Sequence, residues 1–547
     1  MTLADQSGVR EADASGDTVA ERAGPYVSRM LIQHLATDPD KRTWSSEGSA
    51  AFVDISGFTK LSESLAKKGR VGAEQVAESI GHVFEAMLSV AYASGGSLLK
   101  FGGDALLIWF DGEHHAARAS RATVLMRDTL ATVGRIDVPG ETIALRMSQG
   151  IHSGQFNFFA VGTAHRELLP VGPAWSRLVA IQHCAEPDEI AVSTETAAAL
   201  PAECLGADRP TGRLLIAVPP GHTEESPLRS RPPLSPEILE RCLSAPIREH
   251  VLRGGGSSEH RPVTIAFLRF EGTDALIEQH GVDAAAAALH GVVSAAEAAC
   301  DQHGVAFLAS DVDADGGKLI LTGGAPKGMG NDEERVLLAL RAILARPLPI
   351  PVRIGVHRGA VFAGDIGPRY RRTYTVMGDA VNLAARVMAK AEPGTIYATA
   401  DVLDRSNTLF AMRAIEPFAV KGKAEPVQAW AIGDAQGSRT RQVSLQRLPL
   451  TGRNTELGAI RKAFTSARSG AGRLIDVVGE AGIGKTRLLE ALRDAAAGFR
   501  KLHATCEAYT TSKPYALWRE LLREQMSIGR DMQDDAVIDQ LRSAVAA

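Results

Sequence analysis

Two aspartates follow apolar runs that are typical of buried strands. Asp54 comes after Ala51–Val53 and shortly before Ser56-Gly57, where the strand pattern stops and a helical one begins. Asp104 follows Gly102-Gly103 between two apolar runs, a pattern that predicts a β-hairpin with Asp104 on its turn. Carboxylates at a strand end and on a hairpin tip are well placed to share a divalent cation. The alternative for each is a turn or capping residue.

The segments around these aspartates predict one alternating unit of helices and strands. A short amphipathic helix is expected around Val27–Leu35, ahead of the strand that carries Asp54. Apolar residues recur at helical spacing over 72–93, which predicts a helix that faces the core. After the hairpin we expect helix 116–133, strand Ile143–Ser153, a helix from Gly172 and strand Ile190–Ser193. This order of elements is that of a ferredoxin-like α/β sandwich.

The sequence contains this unit twice. Ala266–Gly272 falls where Ala51–Gly57 did, and the Gly-x-His-x-Gly pattern of Gly150–Gly154 returns at Gly355–Gly359. Self-similarity at a fixed spacing is the signature of an internal duplication. We therefore expect two copies of one domain, packed as a pseudo-symmetric pair.

The second copy lacks the two aspartates. Arg269 stands at the position of Asp54, and the position of Asp104 falls near Gly316. The metal-binding half of a site is therefore predicted in the first copy alone.

The second copy instead carries a polar pair that the first copy lacks. Asn382 and Arg386 are four residues apart, which places them on one face of a predicted helix. The first copy has Ser176 and Ala180 at these positions. Because each copy lacks what the other has, the sequence predicts one composite site between them.

A third unit begins after a second polar linker. Arg473–Val478 predicts a strand, and 479–486 matches the phosphate-loop pattern GxxxxGK[ST]. Its candidate phosphate-binding residues are Gly479, Gly482, Gly484, Lys485 and Thr486. Too few residues follow the loop to complete a nucleotide-hydrolysing sheet, so we expect only the N-terminal part of such a domain.

Polar stretches rich in Pro, Ser and Gly divide the chain into these units. The expected organisation is a disordered tail at 1–24, a first copy at 25–218, a linker at 219–260, a second copy at 261–433, a linker at 434–447 and a P-loop domain at 448–547.

Composition excludes several classes of function. The formal net charge is −4, which gives no broad basic surface for nucleic acid or an anionic membrane. The five cysteines are far apart and odd in number, so they predict neither a disulfide framework nor a zinc site, as in a reducing cytosol. No signal segment is visible, and no apolar run reaches the about 18 residues of a membrane span. We therefore expect a cytoplasmic protein with no nucleic-acid partner and no integral membrane segment.

Three motifs together resemble the class III nucleotidyl cyclases, and among them the tandem, bicarbonate-responsive soluble adenylyl cyclase type. They are Phe52–Thr59, Lys100–Ala105 and Gly378–Arg386. Bacterial relatives of that type likewise join two cyclase domains to a signalling ATPase of the P-loop class. The resemblance covers 48–433 for the pair of cyclase domains and 447–547 for the ATPase part. It implies conversion of ATP to 3′,5′-cyclic AMP and pyrophosphate, with two Mg²⁺ or Mn²⁺ ions, at one intramolecular site.

The resemblance also implies roles for single residues of the first copy. Asp54 and Asp104 look like the carboxylates that bind both metal ions, with the Ile55 carbonyl as a further ligand. The backbone of Ser56, Gly57 and Phe58, followed by Thr59, would cradle the phosphates.

The second copy would supply the remaining groups. Asn382 resembles the residue that orients the ribose, and Arg386 the one that stabilises transition-state charge. Lys421 or Lys423 would contact the departing phosphates, and the sequence does not choose between them.

Base choice is the least determined part of the prediction. Thr375, seven residues before the asparagine, favours adenine, but Lys318 stands about two residues late for the lysine that completes adenine recognition. Guanylyl cyclases usually carry Glu at that lysine position and a small polar residue, commonly Cys, near Thr375. The alternatives are therefore a guanylate cyclase and a weak pseudocyclase that senses nucleotide and regulates the P-loop domain.

A second, pseudo-symmetric pocket is where bicarbonate or another regulator acts in this type of cyclase. Here Lys100 is present, whereas the expected arginine position holds Val179, with Arg177 two residues away. Bicarbonate activation is therefore an open hypothesis.

Overall fold

The computed structural model describes most of the chain. The described residues are 19–66, 69–138, 140–221, 241–255, 258–420, 425–438, 452–479, 488–489, 498–502, 515–526 and 534–546, with Ser235, Ile238, Lys485, Ala496 and Ile528. They divide into two compact units, Met1–Ser438 and Arg439–Ala547. Both predicted copies of the repeated domain lie in the first unit.

The first copy is built on one large sheet. Its strands are β1 (Thr43–Ser56), β2 (Ser97–Gly102), β3 (Ala105–Phe110), β4 (Arg135–Val138), β5 (Glu141–Ala144), β6 (Arg146–Val161), β7 (Glu167–Pro170), β8 (Ile190–Val192), β9 (Leu205–Arg209) and β10 (Gly212–Leu215). The sheet order is β2-β3-β1-β6-β8-β10-β9, with β7 also paired to β6, and β4 and β5 form a separate hairpin. Strands β6 and β8 run parallel, as expected for a connection through a helix.

Helices cover this sheet. They are α1 (Val19–Ala23), α2 (Arg29–Thr37), α3 (Phe58–Ala66), α4 (Gly69–Ala93), α5 (His115–Val133), α6 (Pro173–His183) and α7 (Thr194–Ala198), with 3₁₀ turns at Gly24–Tyr26 and Ala202–Cys204. Helix α4 extends the predicted 72–93 helix by one turn, and α5 confirms the helix predicted at 116–133. Helix α2 starts later than predicted because Ser28 caps it, its hydroxyl accepting from the Leu31 amide at 3.4 Å.

The second copy repeats the architecture. Its elements are β11 (Glu259–Glu271), α9 (Thr273–His303), β12 (Ala306–Asp313), β13 (Gly316–Gly323), α10 (Asp332–Leu344), β14 (Val352–Ile366), β15 (Thr373–Met377), α11 (Asp379–Lys390), β16 (Ile396–Thr399), α12 (Ala400–Leu403), β17 (Thr408–Ala414) and β18 (Ala429–Ser438). The sheet order β12-β13-β11-β14-β16-β18-β17, with β15 on β14, matches the first sheet strand for strand. The predicted α/β fold of two similar copies is confirmed.

Two segments differ from their sequence predictions. The strand predicted at Ile143–Ser153 is split at Leu145, because β5 turns back onto β4 while β6 continues to Val161. The stretch 219–260, predicted as a linker, contains helix α8 (Ala245–Leu252), on which Ile247 and Val251 are buried. A high Pro, Ser and Gly content concealed this short apolar face, and the domain boundaries themselves stay predictions.

The two copies share an apolar core. One buried cluster combines Trp109 and Trp175 of the first copy with Val361, Tyr374 and Ala384 of the second. Burial of this size is the main favourable term in association, so the cluster fixes the copies against each other. A site assembled from both copies can therefore be held rigidly.

The second unit is described only in part. Its helices are α13 (Asn454–Arg468), α14 (Ala516–Gln525) and α15 (Asp534–Ala546). The strand predicted at Arg473–Val478 is absent from the described residues, and Leu474 is 98% and Val478 85% exposed. That prediction was wrong because an apolar run becomes a strand only when a neighbour pairs with it. Among the described residues, no helix is both long and apolar enough to cross a bilayer.

Candidate active site

The fold brings the two predicted metal-binding aspartates side by side. Asp54 lies on β1 opposite Ala105 of β3, and Asp104 occupies the turn between β2 and β3 just before that partner. The Ile55 amide donates a hydrogen bond to the Asp104 carbonyl at 3.3 Å. The strand end and the hairpin tip are thus tied together by the backbone.

Negative charge accumulates at this point. Burial raises the pKa of Asp54, and the charge of Asp311 raises it further, against a lowering by His183. Burial and the neighbouring Asp54 raise the pKa of Asp104 to about 7. Carboxylates that repel each other in a partly desolvated place are the arrangement that a divalent cation relieves.

The donor set fits a hard cation in type. Asp54 and Asp104 offer carboxylate oxygens, and Ile55, which follows Asp54 on β1 and is hydrogen-bonded to the Asp104 backbone, offers a carbonyl oxygen. Among the described residues, however, no group of three or more His, Cys, Asp or Glu side chains is arranged to hold a metal ion. Backbone oxygens, water or substrate phosphates would therefore have to complete the coordination.

The predicted phosphate cradle follows directly on β1. Gly57 has a φ of 111°, a value that only glycine adopts without strain, and a Cβ there would lie 2.8 Å from Leu145 Cδ2. Helix α3 begins at Phe58, whose ring is buried against Phe84. This turn presents a helix N-terminus beside the two aspartates, the position that favours anions. The cradle role of Ser56, Gly57, Phe58 and Thr59 stays a prediction.

Helix α11 of the second copy carries Asn382 and Arg386. Its buried face consists of Ala380, Leu383, Ala384, Val387 and Met388. Asn382 and Arg386 lie on the partly exposed face, one turn apart. Gly355 allows the helix to approach β14, since a Cβ at Gly355 would lie 2.0 Å from the Met388 backbone nitrogen.

A hydrogen bond joins the two halves of the predicted site. The Asn382 amide nitrogen donates to the Thr59 hydroxyl at 3.2 Å. Asn382 belongs to the second copy, and Thr59 lies in the first turn of α3 in the first copy. The residues predicted to bind ribose and phosphates thus meet across the boundary between the copies.

The two residues predicted to recognise the base lie on different strands of the second copy. Thr375 lies on β15 opposite Gly364 and is half-buried. The Lys318 ammonium is 3.3 Å from the Asp313 carboxylate, and Lys318 is the cross-strand neighbour of Asp311. Lys318 is therefore engaged within its own hairpin.

Sequence reasoning missed Asp311. Its half-buried side chain faces Gly102 of the first copy, where a Cβ would lie 2.9 Å from Asp311 Oδ1, and its charge contributes to the raised pKa values of Asp54 and Asp104. Burial also raises the pKa of Asp311 itself. Once the strand pairing places Asp315 on the turn, Asp311 can be found by counting, because it precedes Asp315 by the same four residues that separate Lys100 from Asp104.

The turn of the second hairpin corrects one sequence assignment. Gly316 begins β13, and the turn position that corresponds to Asp104 is held by Asp315. The Asp315 carboxylate accepts from the amides of Gly272 and Asp274, at 3.1 and 3.0 Å, and so caps α9. Counted against β11, the β12–β13 hairpin is two residues longer than the β2–β3 hairpin is against β1. This difference displaced the sequence alignment of the two copies.

Internal ion pairs occupy the pseudo-equivalent position of the second copy. Arg269, which replaces Asp54, is 3.1 Å from the Asp313 carboxylate, and Lys318 shares the same carboxylate. The Asp315 amide donates to the Ser176 hydroxyl at 2.7 Å. The pair of aspartates that could bind a metal ion therefore lies in the first copy.

The two residues of the predicted regulatory pocket have different partners. Lys100 lines a cavity of about 110 Å³ between the copies, together with Glu167 and Ser310. Arg177 does not line that cavity; its side chain is 47% exposed and pairs with Glu195 at 3.0 Å. The expectation that Lys100 and Arg177 form one pocket is not supported by this geometry.

Several predicted site residues lie outside the described part of the chain. These are Lys421, Lys423, Gly482, Gly484 and Thr486. Of the phosphate loop, the Lys485 ammonium donates to the Gly479 carbonyl at 2.7 Å. Their roles stay predictions.

Comparison with known proteins identifies the class of both parts of the chain. Residues 256–433 match the adenylate and guanylate cyclase catalytic domain, and residues 449–546 match the AAA ATPase domain. The chain therefore carries a class III cyclase catalytic domain followed by an AAA ATPase domain, as the motifs predicted.

The related proteins belong to the same class. The chain is 26% identical to adenylate cyclase type 10 of Homo sapiens over 513 residues, which is 83% of this chain and 31% of that protein. The mouse protein of the same name is 27% identical over 428 residues, 70% of this chain and 26% of its own length. A crystal structure described as a class III adenylyl cyclase-like ATP-binding protein from Pseudomonas aeruginosa superposes with a TM-score of 0.50 at 11% identity, covering 71% of this chain and 93% of that one. The last likeness supports the fold.

Proposed function

We propose that the chain is an adenylate cyclase that converts ATP to 3′,5′-cyclic AMP and pyrophosphate at one site between its two copies. The observation that carries the proposal is the hydrogen bond from Asn382 to Thr59, which joins the predicted ribose-binding residue of the second copy to the predicted phosphate-binding segment that follows Asp54. The matched domain and the relatives named adenylate cyclase support the same chemistry.

The chain's own residues would each do a distinct part of the work. Amides of the turn at Gly57 and of the first turn of α3 bind the phosphates. Asn382 orients the ribose so that its 3′-hydroxyl faces the α-phosphate, and the Arg386 guanidinium stabilises the charge that develops there. Two Mg²⁺ or Mn²⁺ ions held by Asp54, Asp104 and the Ile55 carbonyl would, when bound, favour the alkoxide form of that hydroxyl and neutralise phosphate charge.

A direct assay tests this proposal. Purified protein is incubated with Mn²⁺ and ATP or GTP, and cyclic nucleotide is quantified. Asp54→Asn and Arg386→Ala should each lose roughly 100-fold or more in rate. The matched surface controls are Asp208→Asn and Arg405→Ala, which pair only with exposed neighbours and should keep wild-type rates. Equal rates in Asp54→Asn and wild type would contradict the proposed site.

A second candidate function is guanylate cyclase, and Asp311 is the observation that favours it. A half-buried carboxylate at the edge of the site can accept from both the N1–H and the 2-amino group of guanine, whereas adenine offers no such pair of donors. If guanine is read this way, Asp311→Asn should lower kcat/KM for GTP about 10- to 100-fold. Turnover of ATP alone, unchanged in that variant, would favour adenine recognition through Thr375 and Lys318.

A pseudocyclase that binds ATP without turnover is the third possibility. The engagement of Lys318 with Asp313 favours it, since this leaves the predicted adenine contact to another group. Tight ATP binding with no cyclic product from either nucleotide would establish it, and the P-loop domain would then be its output.

Regulation by bicarbonate is a separate proposal that rests on Lys100. The Lys100 ammonium is already 2.6 Å from Glu167, so bicarbonate would have to displace that carboxylate. A flat dose–response in wild type would remove the proposal. We further propose a cytoplasmic location, which the four described free cysteines support.

A further inference from the structure

Four charged side chains, two of them buried and two half-buried, form a continuous series from the second copy to the strand that leads to Asp104. The Glu297 carboxylate on α9 is 2.9 Å from His165, whose other ring nitrogen is 3.2 Å from Glu167. Glu167 is in turn 2.6 Å from the Lys100 ammonium on β2. Lys100 and Glu167 are 12% and 14% exposed, and His165 and Glu297 are 3% and 4% exposed. We call Glu297, His165, Glu167 and Lys100 the charge chain.

One end of the charge chain is hydrogen-bonded to a loop of the first copy. Glu297 accepts from the amides of Thr163, Ala164 and His165 at 2.6, 3.0 and 3.2 Å. One and two turns earlier on α9, Ser294 and His290 contact the same loop through the Thr163 hydroxyl and the Gly162 amide. These helix positions share one face, so α9 of the second copy binds the loop at 162–165 as a unit.

The other end reaches the hairpin of the proposed active site. Lys100 lies on β2, four residues before Asp104. The Ser310 hydroxyl of the second copy accepts from Lys100 at 2.6 Å and donates to Glu167 at 2.5 Å. Ser310 directly precedes Asp311, so this end of the charge chain lies beside the residues of both copies that surround Asp104.

With His165 protonated, two carboxylates and two cations balance each other in the charge chain. Buried ion pairs usually add little net stability compared with apolar residues of similar size, because desolvation offsets their attraction. Removing one member leaves its neighbour as a charge without a partner in a desolvated place, which is strongly unfavourable. The members therefore hold each other in one geometry. A set that costs desolvation and fixes geometry is suited to positioning.

We propose that the charge chain positions the Asp104 hairpin against the second copy, with His165 and Glu297 as positioning residues for the cyclase reaction. The proposal rests on the proposed function, because it concerns the alignment of that site. Neither residue touches the aspartate pair, so their effect passes through Glu167, Lys100 and the backbone of β2.

The test uses the full chain with His165→Gln and Glu297→Gln. A displaced hairpin should lower kcat roughly 10- to 100-fold with KM for the nucleotide within about 2-fold, since alignment is lost and binding is retained. Amide hydrogen exchange over 97–110 should accelerate in the same variants. The double variant should lose no more than the worse single one, because both changes break the same series.

His152→Gln is the matched control. His152 is another buried histidine of the first copy, hydrogen-bonded to Ser193 at 3.0 Å and outside the charge chain. It should change neither kcat nor hairpin exchange. Should His165→Gln fail to fold, Ser310→Ala removes only the hydroxyl that contacts both Lys100 and Glu167, and a smaller change in the same direction is expected.

Unchanged kcat and unchanged hairpin exchange in folded His165→Gln, Glu297→Gln and Ser310→Ala would overturn the proposal. Equal acceleration in the His152→Gln control would also overturn it. If wild type makes no cyclic nucleotide, the proposed function fails separately, and hydrogen exchange alone then decides whether the charge chain holds the hairpin.

Discussion

At the level of single residues, the proposed site places negative charges close together. These charges repel each other, and a bound cation would relieve the repulsion. Asp54 and Asp104 are adjacent, and Asp311 adds a third negative charge nearby. Such an arrangement weakens the folded state and is retained where function requires it. The charges of the site therefore allow predictions about protein stability as well as about reaction rate.

Asp104→Asn should stabilise the metal-free protein while removing activity. The substitution deletes a half-buried charge that repels Asp54, which should raise the unfolding free energy by about 1 kcal/mol. Denaturant unfolding in EDTA measures this gain. Excess Mg²⁺ should then stabilise wild type but not the variant, because only wild type keeps the site. A less stable variant in EDTA would contradict the account.

The charge chain predicts a pH dependence of stability. Burial alone would lower the pKa of His165, but hydrogen bonds to Glu167 and Glu297 outweigh burial and raise the pKa from 6.5 to about 9. Asp301, Arg166 and His290 are further titratable groups that interact with Glu297, and Asp311 interacts with Lys100. The contribution of protonated His165 to stability should be complete below pH 6.5 and fall away as the pH rises through about 9.

The difference in unfolding free energy between wild type and His165→Gln measures this contribution, and it should shrink between pH 7 and pH 10. His152 provides the opposite case. Burial lowers its pKa to about 4, so neutral His152 contributes above pH 6.5 and its contribution is lost as the pH falls toward 4. A His165 difference that stays constant with pH would exclude a charged histidine.

At the level of elements, the turn from β1 into α3 requires a glycine. Gly57→Ala should reduce cyclase activity and lower the unfolding free energy by about 1–3 kcal/mol, because a φ of 111° strains any other residue and Leu145 blocks the Cβ. Gly81→Ala on α4 is the control. A Cβ there meets nothing within 4 Å, so it should be neutral or stabilising by about 0.5–1 kcal/mol. Thermal unfolding and the cyclase assay distinguish the two.

The sequence predicted the elements whose signals are local. Helix α4 has a long apolar period, and the β2–β3 turn has Gly102-Gly103, so both were found close to their observed bounds. Helix α8 was missed because its apolar face is only two residues wide within a polar stretch. The strand at Arg473–Val478 was wrong because pairing, which sequence does not record, decides whether an apolar run becomes a strand.

Other parts of the site depend on strand register and were harder to predict from the sequence. The pair Asn382 and Arg386 followed from helical spacing alone. Asp311 was missed because the second hairpin is two residues longer relative to β11, a difference visible only in the strand pairing Arg269–Lys318 against Asp54–Ala105. The charge chain could not be predicted, since its four members come from three separate segments.

At the level of the whole chain, all the described residues of the proposed composite site lie in the first unit. The aspartate pair belongs to the first copy, Asn382 and Arg386 belong to the second, and ion pairs of Arg269 and Lys318 occupy the pseudo-equivalent place. Both halves lie in one compact unit, so a single chain should suffice for turnover. Specific activity should then be independent of protein concentration.

The most direct measurement of this central claim is cyclic nucleotide production by wild type, Asp54→Asn, Arg386→Ala and an equimolar mixture of the two variants. The account predicts product from wild type, a loss of roughly 100-fold or more in each variant, and no recovery on mixing, since each chain keeps one damaged site. Recovery in the mixture would show that the site forms between chains. Full activity in either variant would show that the chemistry lies elsewhere.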